Sequence, residues 1–386
     1  MMRRWLALPL AALVVLAGCS KDKDADQPAK LVEIKASLPV HKLWSVNVGG
    51  GKHQMLLRLG LGPALDGGVV FAASVKGEIL AVDMSNGRRV WRKRLRLPLS
   101  AGPGAGDGIV VVGSTKGDIV ALDEATGQER WRSHVDAELL SAPAVSPTVV
   151  VLRSVDGRLH GLDAATGKPI WSVQQPVPRL SLRGIATPVI VKDDVISGFD
   201  NGKVMAVSLS NGNTVWDTTL SAPHGRTELA RLVDVDCSVA VVGDNVYATG
   251  YHGRTAQLAL DSGQIWWAHK MSSDHGLAAD AKHVYVSLAD GSVVALRASN
   301  GSTIWRNDTL KWRGLSPPAL TPSAVVVADY QGYVHWLDIK TGAIIARTRV
   351  SKYSVSSTPL AVGDTVVVMN DGGDIVAFRA TPPPPG

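Results

Sequence analysis

Short apolar runs separated by glycine-containing turns recur along most of the chain. In the clearest copy, the run Asp118–Asp123 is mostly apolar and contains β-branched residues, a pattern that favours a buried strand. The turn Ala125–Gly127 follows, and its glycine can adopt the positive φ that a tight hairpin requires. The chain can then reverse and run back as a second strand through Trp131. Each copy is therefore predicted to be a β-hairpin.

Eight copies of this hairpin can be aligned by their first glycine. Six of them carry a tryptophan fourteen positions after that glycine, whereas the seventh has Ala346 there and the eighth stops short of that position. Successive glycines are separated by 40, 40, 45, 51, 38, 41 and 41 residues. A period near 40 residues in an all-strand pattern is typical of a propeller with four-stranded blades. The aligned glycines are Gly77, Gly117, Gly157, Gly202, Gly253, Gly291, Gly332 and Gly373.

The segments between the copies supply the other two strands of each blade. Ser141–Val145 and Thr148–Arg153, for example, are suited to strands one and two, so that the following hairpin supplies strands three and four. The tryptophans at the repeat position are interpreted as packing wedges between blades rather than as ligand contacts, because each blade must bury apolar faces against both neighbours.

The two ends of the chain are predicted to share the last blade. Counting fourteen positions from Gly373 passes the last residue, so the eighth copy lacks its outer strand. Leu43–Val48 has a tryptophan and no glycine hairpin before it, and we expect it to pair beside Val366–Arg379. This pairing would close the ring and remove an open sheet edge. The predicted fold is an all-β, eight-bladed propeller of antiparallel blades, closed by an N-terminal strand.

Residues 1–18 have the organisation of a lipoprotein signal peptide. Two adjacent arginines precede a short apolar region from Leu6 to Gly18. Leu16–Cys19 resembles a bacterial lipobox, so Cys19 is predicted to be lipidated, and Ser20 after it resembles the pattern of lipoproteins that reach the outer membrane. Several acyl chains, palmitate among them, would anchor the protein stably. The alternative is a small-residue cleavage site that includes a cysteine by chance.

The remaining boundaries follow from composition. Residues 19–40 are interpreted as the lipidated cysteine and a flexible polar tether, residues 41–380 as the propeller, and residues 381–386 as a proline-rich tail. With Cys19 consumed by lipid, Cys237 has no partner for an intrachain disulfide. It is predicted to be a buried strand residue, with a reactive thiol as the alternative.

The charge pattern gives little reason to expect a nucleic-acid partner. The formal net charge is +6 over 386 residues, and the basic residues are scattered except in Arg88–Arg96. That cluster alternates with apolar residues around Trp91 and is predicted to be the solvated side of an outer strand, with a contact to acidic lipid or protein as the alternative. Aromatic residues are not arranged around it for base stacking, so we expect no nucleic-acid partner.

Two departures from the repeat mark the candidate functional region. The intervals of 45 and 51 residues contain about 5 and 11 extra residues relative to the others. Both insertions are expected between the outer strand of one blade and the inner strand of the next, on adjacent blades and on one face of the ring. The first contains Pro178–Gly184 and the second His224–Asp236. Exposed leucines beside charges on neighbouring loops indicate a protein-binding patch, because interface centres favour apolar anchors and arginine.

A bracing role is the alternative for these charges. Arg183 could pair with Asp234 or Asp236 and hold the two loops together without contacting a partner. A calcium site at the two aspartates is less favoured, because two carboxylates without further oxygen ligands do not make one. We therefore expect no metal site.

The repeat resembles the tryptophan repeats of quinoprotein dehydrogenases, and together with the lipobox it resembles the propeller lipoproteins of the outer-membrane β-barrel assembly machinery, the BAM complex. The resemblance covers essentially the whole mature chain. Departures are Ala346, Ala230 and the prolines from Pro382 to Pro385. The motifs that carry the resemblance are Leu180–Gly184, Asp200–Gly202, Thr227–Asp236 and Gly332–Asp338.

This resemblance implies a function and a partner. It implies a noncatalytic scaffold on the periplasmic face of the outer membrane that binds the POTRA domains of BamA, joins other BAM complex subunits, and assists unfolded outer-membrane protein clients in delivery and insertion. It implies no cofactor. The positions that match the partner-binding surface of the family are Leu180, Leu182, Arg183, Asp234 and Asp236.

Two other function classes remain as alternatives. A quinoprotein-type dehydrogenase would resemble longer chains that have adjacent cysteines and clustered carboxylates, and neither feature occurs here. A ligand-binding propeller would require converging polar groups on the innermost strands, whereas segments such as Thr187–Ile190 are mainly small and apolar. His275, His283 and His335 are interpreted as surface or core histidines, because their spacing does not suit a metal site.

Overall fold

The computed structural model describes residues 27–49, 60–182, 186–229, 231–235 and 237–381. The predicted signal peptide and Cys19 lie outside the described residues, as do residues 382–386 of the proline-rich tail. Within the described residues the regular secondary structure consists of strands. No helix in this part of the chain is long and apolar enough to cross a membrane.

The described strands form eight four-stranded sheets, named blades 1 to 8 in chain order. The bounds are β1 (Val40–Asn47); blade 1, β2 (Ala64–Asp66), β3 (Val69–Ala73), β4 (Glu78–Asp83), β5 (Arg89–Arg94); blade 2, β6 (Leu99–Gly106), β7 (Ile109–Ser114), β8 (Asp118–Asp123), β9 (Glu129–His134); blade 3, β10 (Ala144–Val145), β11 (Val149–Arg153), β12 (Arg158–Asp163), β13 (Pro169–Gln174); blade 4, β14 (Val189–Val191), β15 (Asp194–Gly198), β16 (Lys203–Ser208), β17 (Thr214–Thr219); blade 5, β18 (Ala240–Val242), β19 (Asn245–Thr249), β20 (Arg254–Ala259), β21 (Ile265–Lys270); blade 6, β22 (Leu277–Ala279), β23 (His283–Ser287), β24 (Val293–Arg297), β25 (Thr303–Asn307); blade 7, β26 (Ala319–Leu320), β27 (Ala324–Ala328), β28 (Tyr333–Asp338), β29 (Ile344–Arg349); and blade 8, β30 (Leu360–Val362), β31 (Thr365–Met369), β32 (Asp374–Ala380) with β1.

The predicted hairpin is confirmed in each complete copy. In blade 2, β8 pairs antiparallel with β9, and Ala121 lies opposite Trp131. Gly127 in the connecting turn has a φ of 69°. The two middle strands of each blade are buried on both faces, because each face packs against a neighbouring blade. The prediction of an all-β, eight-bladed propeller is therefore confirmed.

The ring is closed by the two ends of the chain, as expected. The N-terminal strand β1 pairs antiparallel with β32, with Trp44 opposite Ala377 and Val46 opposite Ile375. Blade 8 thus takes three strands from the C-terminal region and its outer strand from the N-terminal region. This arrangement covers the edge of β32 that would otherwise be open.

The repeat tryptophans join each blade to the next. The indole N–H of Trp91 donates to the carbonyl oxygen of Glu124 at 2.7 Å, and that of Trp131 donates to Ala164 at 2.8 Å. The acceptor lies in the hairpin turn of the following blade, whose glycine packs directly against the indole ring. The predicted packing role is therefore confirmed. The same bond is made by Trp44, Trp171, Trp216, Trp267 and Trp305.

The alanine at the seventh tryptophan position has a structural reason. In blade 8 the hairpin that a tryptophan would contact is interrupted, because β32 and β1 come from opposite ends of the chain. The segment before β1 fills this place: the backbone N–H groups of Ser37 and Leu38 donate to the carbonyl of Ile345 at 2.9 and 3.2 Å. Leu38 is buried in the same apolar cluster as Ala346.

One sequence expectation about the core is wrong in its detail. Cys237 is buried as predicted, but it lies in the connection between β17 and β18 rather than in a strand. The apolar run around it reads like a strand, yet β18 begins only at Ala240. The segment is buried because the loop itself packs into the ring.

Candidate partner-binding surface

The two insertions lie where the sequence predicts them. We name residues 175–188, between β13 and β14, the first long loop, and residues 220–239, between β17 and β18, the second long loop. Each connects an outer strand to the inner strand of the next blade. In a ring of four-stranded antiparallel blades, all such connections emerge on one face, which we name the connection face.

Hydrogen bonds join the two loops to each other and to the propeller. The backbone N–H of Leu182 donates to Oδ2 of Asp234 at 2.5 Å, and the N–H of Thr187 donates to the Ser238 hydroxyl at 3.0 Å. The first long loop is also held at its start, where the side-chain amide of Asn201 donates to Gln175 at 3.0 Å. The described parts of the two loops are therefore joined to each other.

Asp234 organises this loop pair from inside. Its side chain is 1% exposed, and its carbonyl accepts a hydrogen bond from the N–H of Tyr251 at 2.7 Å. Because the carboxylate is buried and accepts the N–H of Leu182, it positions the first long loop. The brace that the sequence offered as an alternative is a different one, in which Arg183 pairs with Asp234 or Asp236. Arg183 and Asp236 lie outside the described residues, so that pairing and a direct contact between Asp234 and a partner both stay predictions.

The second long loop is inserted into the ring by apolar residues. Leu232, Val233 and Val235 are buried, and the N–H of Val235 donates to the carbonyl of Phe199 at 3.1 Å. Val235 contacts the backbone at Gly198 so closely that a Cβ atom at Gly198 would overlap the Val235 carbonyl. The end of the second long loop is therefore packed tightly against the backbone at the boundary of blades 4 and 5.

Each long loop exposes one large apolar side chain on the connection face. Leu180 in the first long loop is 40% exposed, as the sequence predicts. Leu229 is 65% exposed, more than any other large apolar side chain in the described residues, and it lies in a short turn in which the N–H of Arg231 donates to the carbonyl of Thr227 at 3.0 Å. The sequence places Leu229 in a polar run but does not select it, although a leucine among charged loop residues was the available signal.

The other predicted site residues divide into two groups. Leu182 is partly buried and contributes its backbone to the loop junction. Arg183 and Asp236 lie outside the described residues, so their partner contacts stay predictions.

A buried ion pair lies next to the end of the second long loop. Arg153 at the end of β11 pairs with Asp200, which follows β15, across the boundary of blades 3 and 4. Both side chains are almost fully buried, and the Arg153 guanidinium lies 5.4 Å from the centre of the Phe199 ring. Phe199 also accepts the N–H of Val235 on its carbonyl, so this pair lies directly beside the seat of the second long loop.

Comparison with known proteins identifies the family. The family model described as outer membrane protein assembly factor BamB matches residues 41–100, 76–307 and 289–381. The assembly factor BamB of Pseudomonas aeruginosa is 45% identical over 379 residues, covering 98% of this chain and 99% of that protein. BamB of Alkalilimnicola ehrlichii is 43% identical over 370 residues, covering 96% and 95% of the two chains.

Solved structures agree with this assignment. The crystal structure of BamB from Moraxella catarrhalis has a TM-score of 0.80 at 26% identity and covers 88% of this chain and 100% of that chain. A quinohemoprotein alcohol dehydrogenase from Comamonas testosteroni has a TM-score of 0.68 at 12% identity, covering 90% and 78%, which shows a shared fold alone. The chain belongs to the BamB family of outer-membrane protein assembly factors.

Proposed function

We propose that this chain is a noncatalytic scaffold of the BAM complex, anchored by lipid at Cys19 to the periplasmic face of the outer membrane. In this role it binds the POTRA domains of BamA and assists the delivery and insertion of outer-membrane proteins, in company with the other subunits. Its membership of the assembly-factor family supports this role. The likeness to a dehydrogenase concerns the fold alone and supports no catalytic function.

The observation that carries the proposal is the paired loop surface. Asp234 holds the first long loop through the N–H of Leu182, and the loops together present Leu180 and Leu229 on the connection face. Apolar anchors held in a fixed position lose little conformational freedom on binding, which favours a specific partner. We assign Leu180, Leu182, Leu229, Arg183 and Asp236 to the contact with the partner, and Asp234 to the positioning of that contact.

The test is binding of the unlipidated chain, from residue 20 onward, to isolated POTRA domains of BamA. Leu180→Ser and Leu229→Ser should each weaken binding by at least about tenfold, since truncation of a central anchor costs about 2 kcal/mol or more. Ile170→Ser is the matched control, because Ile170 is an exposed apolar residue of β13 on the rim of blade 3. Circular dichroism would verify that all three variants fold.

A second comparison separates positioning from contact. Asp234→Asn keeps an oxygen that can accept the N–H of Leu182 and should bind nearly as well as the wild type, whereas Asp234→Ala removes it and should bind more weakly. Full affinity in both leucine variants would show that the partner does not use this surface.

A further inference from the structure

The segment before the propeller is attached to blade 7 along its length. The N–H of Ala29 donates to the carbonyl of Lys311 at 2.9 Å, and Leu31 packs against the apolar cluster shared by blades 6 and 7. Val32 accepts a hydrogen bond on its carbonyl from Nη1 of Arg347 at 2.9 Å, and Leu38 is buried beside β29. Residues 27–39, which composition suggests are flexible, thus run beside the outer strand of blade 7; we name them the strap.

A buried network inside blade 7 holds the two arginines that bind the strap. Arg313 Nη2 lies 2.7 Å from Oδ2 of Asp329, and its Nη1 donates to the carbonyl of Ala29 at 2.8 Å. His335 Nε2 lies 3.1 Å from the same carboxylate oxygen, and His335 Nδ1 accepts the Nε–H of Arg347 at 3.2 Å. Because arginine is always a donor, Nδ1 is the acceptor and Nε2 carries the proton of a neutral imidazole. Asp329 and His335 are both fully buried.

The strap begins beside two exposed aromatic side chains on the connection face. Trp312 is 39% exposed and lies in the connection between β25 and β26, and Tyr330 is 38% exposed in the turn between β27 and β28. Arg313 joins the strap to Tyr330, since its guanidinium lies 5.3 Å from the centre of the Tyr330 ring while it binds the carbonyl of Ala29. Lys30 and Lys311 add positive charge at the same corner, where Lys311 Nζ also lies 3.8 Å from Oδ1 of Asp308.

Docking of the strap shortens the connection to the lipid. From Cys19 to Gln27 the chain spans at most about 28 Å, whereas an undocked connection from Cys19 to Val40 would span about 73 Å. Tryptophan and tyrosine favour the interface between water and lipid, and lysine favours anionic headgroups.

We infer that the strap is a bound element of the fold and that the corner formed by Trp312, Tyr330, Lys30 and Lys311 faces the lipid surface that holds the anchor. The strap itself stands on the described contacts, and the orientation rests on the lipid anchor of the proposed function. The edge of the propeller at blades 6 and 7 then lies nearest the membrane, while the two long loops lie further around the ring, at the boundaries of blades 3 and 4 and of blades 4 and 5.

Trypsin tests the strap without any lipid. In the unlipidated chain, Lys21 and Lys23 precede the strap, while Lys30 and Lys35 lie within it. We expect cleavage after Lys30 and Lys35 to be at least about tenfold slower than after Lys23, because cleavage requires the docked backbone to detach. Arg347→Gln should accelerate the two strap cleavages about fivefold, the effect of one lost hydrogen bond.

Arg132→Gln is the matched control for this variant. Arg132 follows the repeat tryptophan of blade 2 as Arg347 follows Ala346, and it pairs with Glu129 far from the strap. Equal cleavage rates at Lys23, Lys30 and Lys35 in the wild type would contradict the proposal that residues 27–39 are bound to the propeller. Equal acceleration by Arg347→Gln and Arg132→Gln would contradict it as well.

Fluorescence quenching by brominated lipids tests the orientation. The lipidated chain, on vesicles of phosphatidylethanolamine and phosphatidylglycerol with brominated acyl chains, should show quenching that Trp312→Phe removes and Trp266→Phe retains. Trp266 is the control because it is 57% exposed on the outer strand of blade 5. Retained quenching in Trp312→Phe would overturn the orientation. Failure of the lipidated chain to associate with vesicles would overturn the anchor and the orientation together, while the trypsin result would still decide the strap.

Discussion

At the scale of single residues, burial decides which charged groups organise the molecule and which remain available for contact. Asp234, Arg153 and Asp200 are charged, yet all three are buried and hold loops or blades together. The exposed candidates for contact are the apolar Leu180 and Leu229. The sequence identified the motifs that contain these residues, but it could not separate the brace from the contact, because both roles use the same residue types.

His335 gives the stability of blade 7 a pH dependence whose sign follows from its surroundings. Burial lowers the pKa of His335, its hydrogen bond with Asp329 opposes this, and the nearby Arg347 and Arg313 guanidinium groups lower it further, leaving the pKa below the usual 6.5. The Tyr333 ring lies beside the imidazole, with the two ring centres 6.3 Å apart. For Asp329, burial raises the pKa, but hydrogen bonds from His335, Tyr333 and Arg313 leave it below its usual value.

The unfolded state therefore binds the His335 proton more readily than the folded state. As pH falls below about 6.5, the free energy of unfolding should decrease by up to about 1.4 kcal/mol per pH unit from this group. Urea unfolding at pH 7.5 and 5.0 should show a larger decrease for the wild type than for His335→Gln, with exposed His41→Gln behaving as the wild type. Equal pH slopes for the wild type and His335→Gln would contradict this reading.

At the scale of elements, the unit that holds the ring together is one tryptophan and the turn of the next blade. The indole donates to the turn carbonyl, and the turn glycine allows the ring to lie against the backbone. The glycine thus serves two purposes, a positive φ and space for the indole. Sequence alone predicted the first from hairpin geometry, whereas the second depends on a residue in the preceding blade.

These two purposes can be separated by substitution. Gly127 and Gly243 both have positive φ, but a Cβ at Gly127 would lie 2.7 Å from the Trp91 ring, while a Cβ at Gly243 would meet no atom within 4 Å. Gly243→Ala should lose only the cost of the backbone conformation, about 1 kcal/mol. Gly127→Ala should lose about 1–3 kcal/mol more, because the indole must shift. Denaturant midpoints of the two variants check this. Equal losses of unfolding free energy would show that the turn and the indole move apart at no cost.

At the scale of the whole molecule, the ring could be predicted from sequence more fully than its attachments. Period, hairpin and closure by β1 all follow from local patterns that repeat. The strap could not be predicted, because its polar composition suits a tether and its partners, such as Arg313, are nearly three hundred positions away. Burial of Cys237 was predicted correctly, but its loop position depends on how the second long loop seats between blades.

Ring closure also explains why one repeat tryptophan is missing. Val40 lies opposite Ala380, and the N–H of Thr381 donates to the carbonyl of Pro39 at 2.9 Å, so the ends of β32 and β1 are adjacent. A permuted chain can join them through a copy of the turn Glu124–Gly127 and open instead between Ala125 and Thr126. Such a chain has the strap removed from blade 7 and a complete hairpin in blade 8, and chains with adjacent ends generally tolerate this change.

Ala346→Trp should then have opposite effects in the two chains. In the natural chain, Leu38 shares the buried cluster with Ala346, and the larger side chain should cost about 1–3 kcal/mol by overpacking. In the permuted chain, the new turn offers a carbonyl and a glycine, and the indole should regain a comparable amount through its hydrogen bond and burial. Thermal and urea unfolding of the four chains measures both effects. If Ala346→Trp instead lowers stability in both backgrounds, removing Leu38 has not made room for the indole. Leu38 would then not be what excludes a tryptophan from position 346.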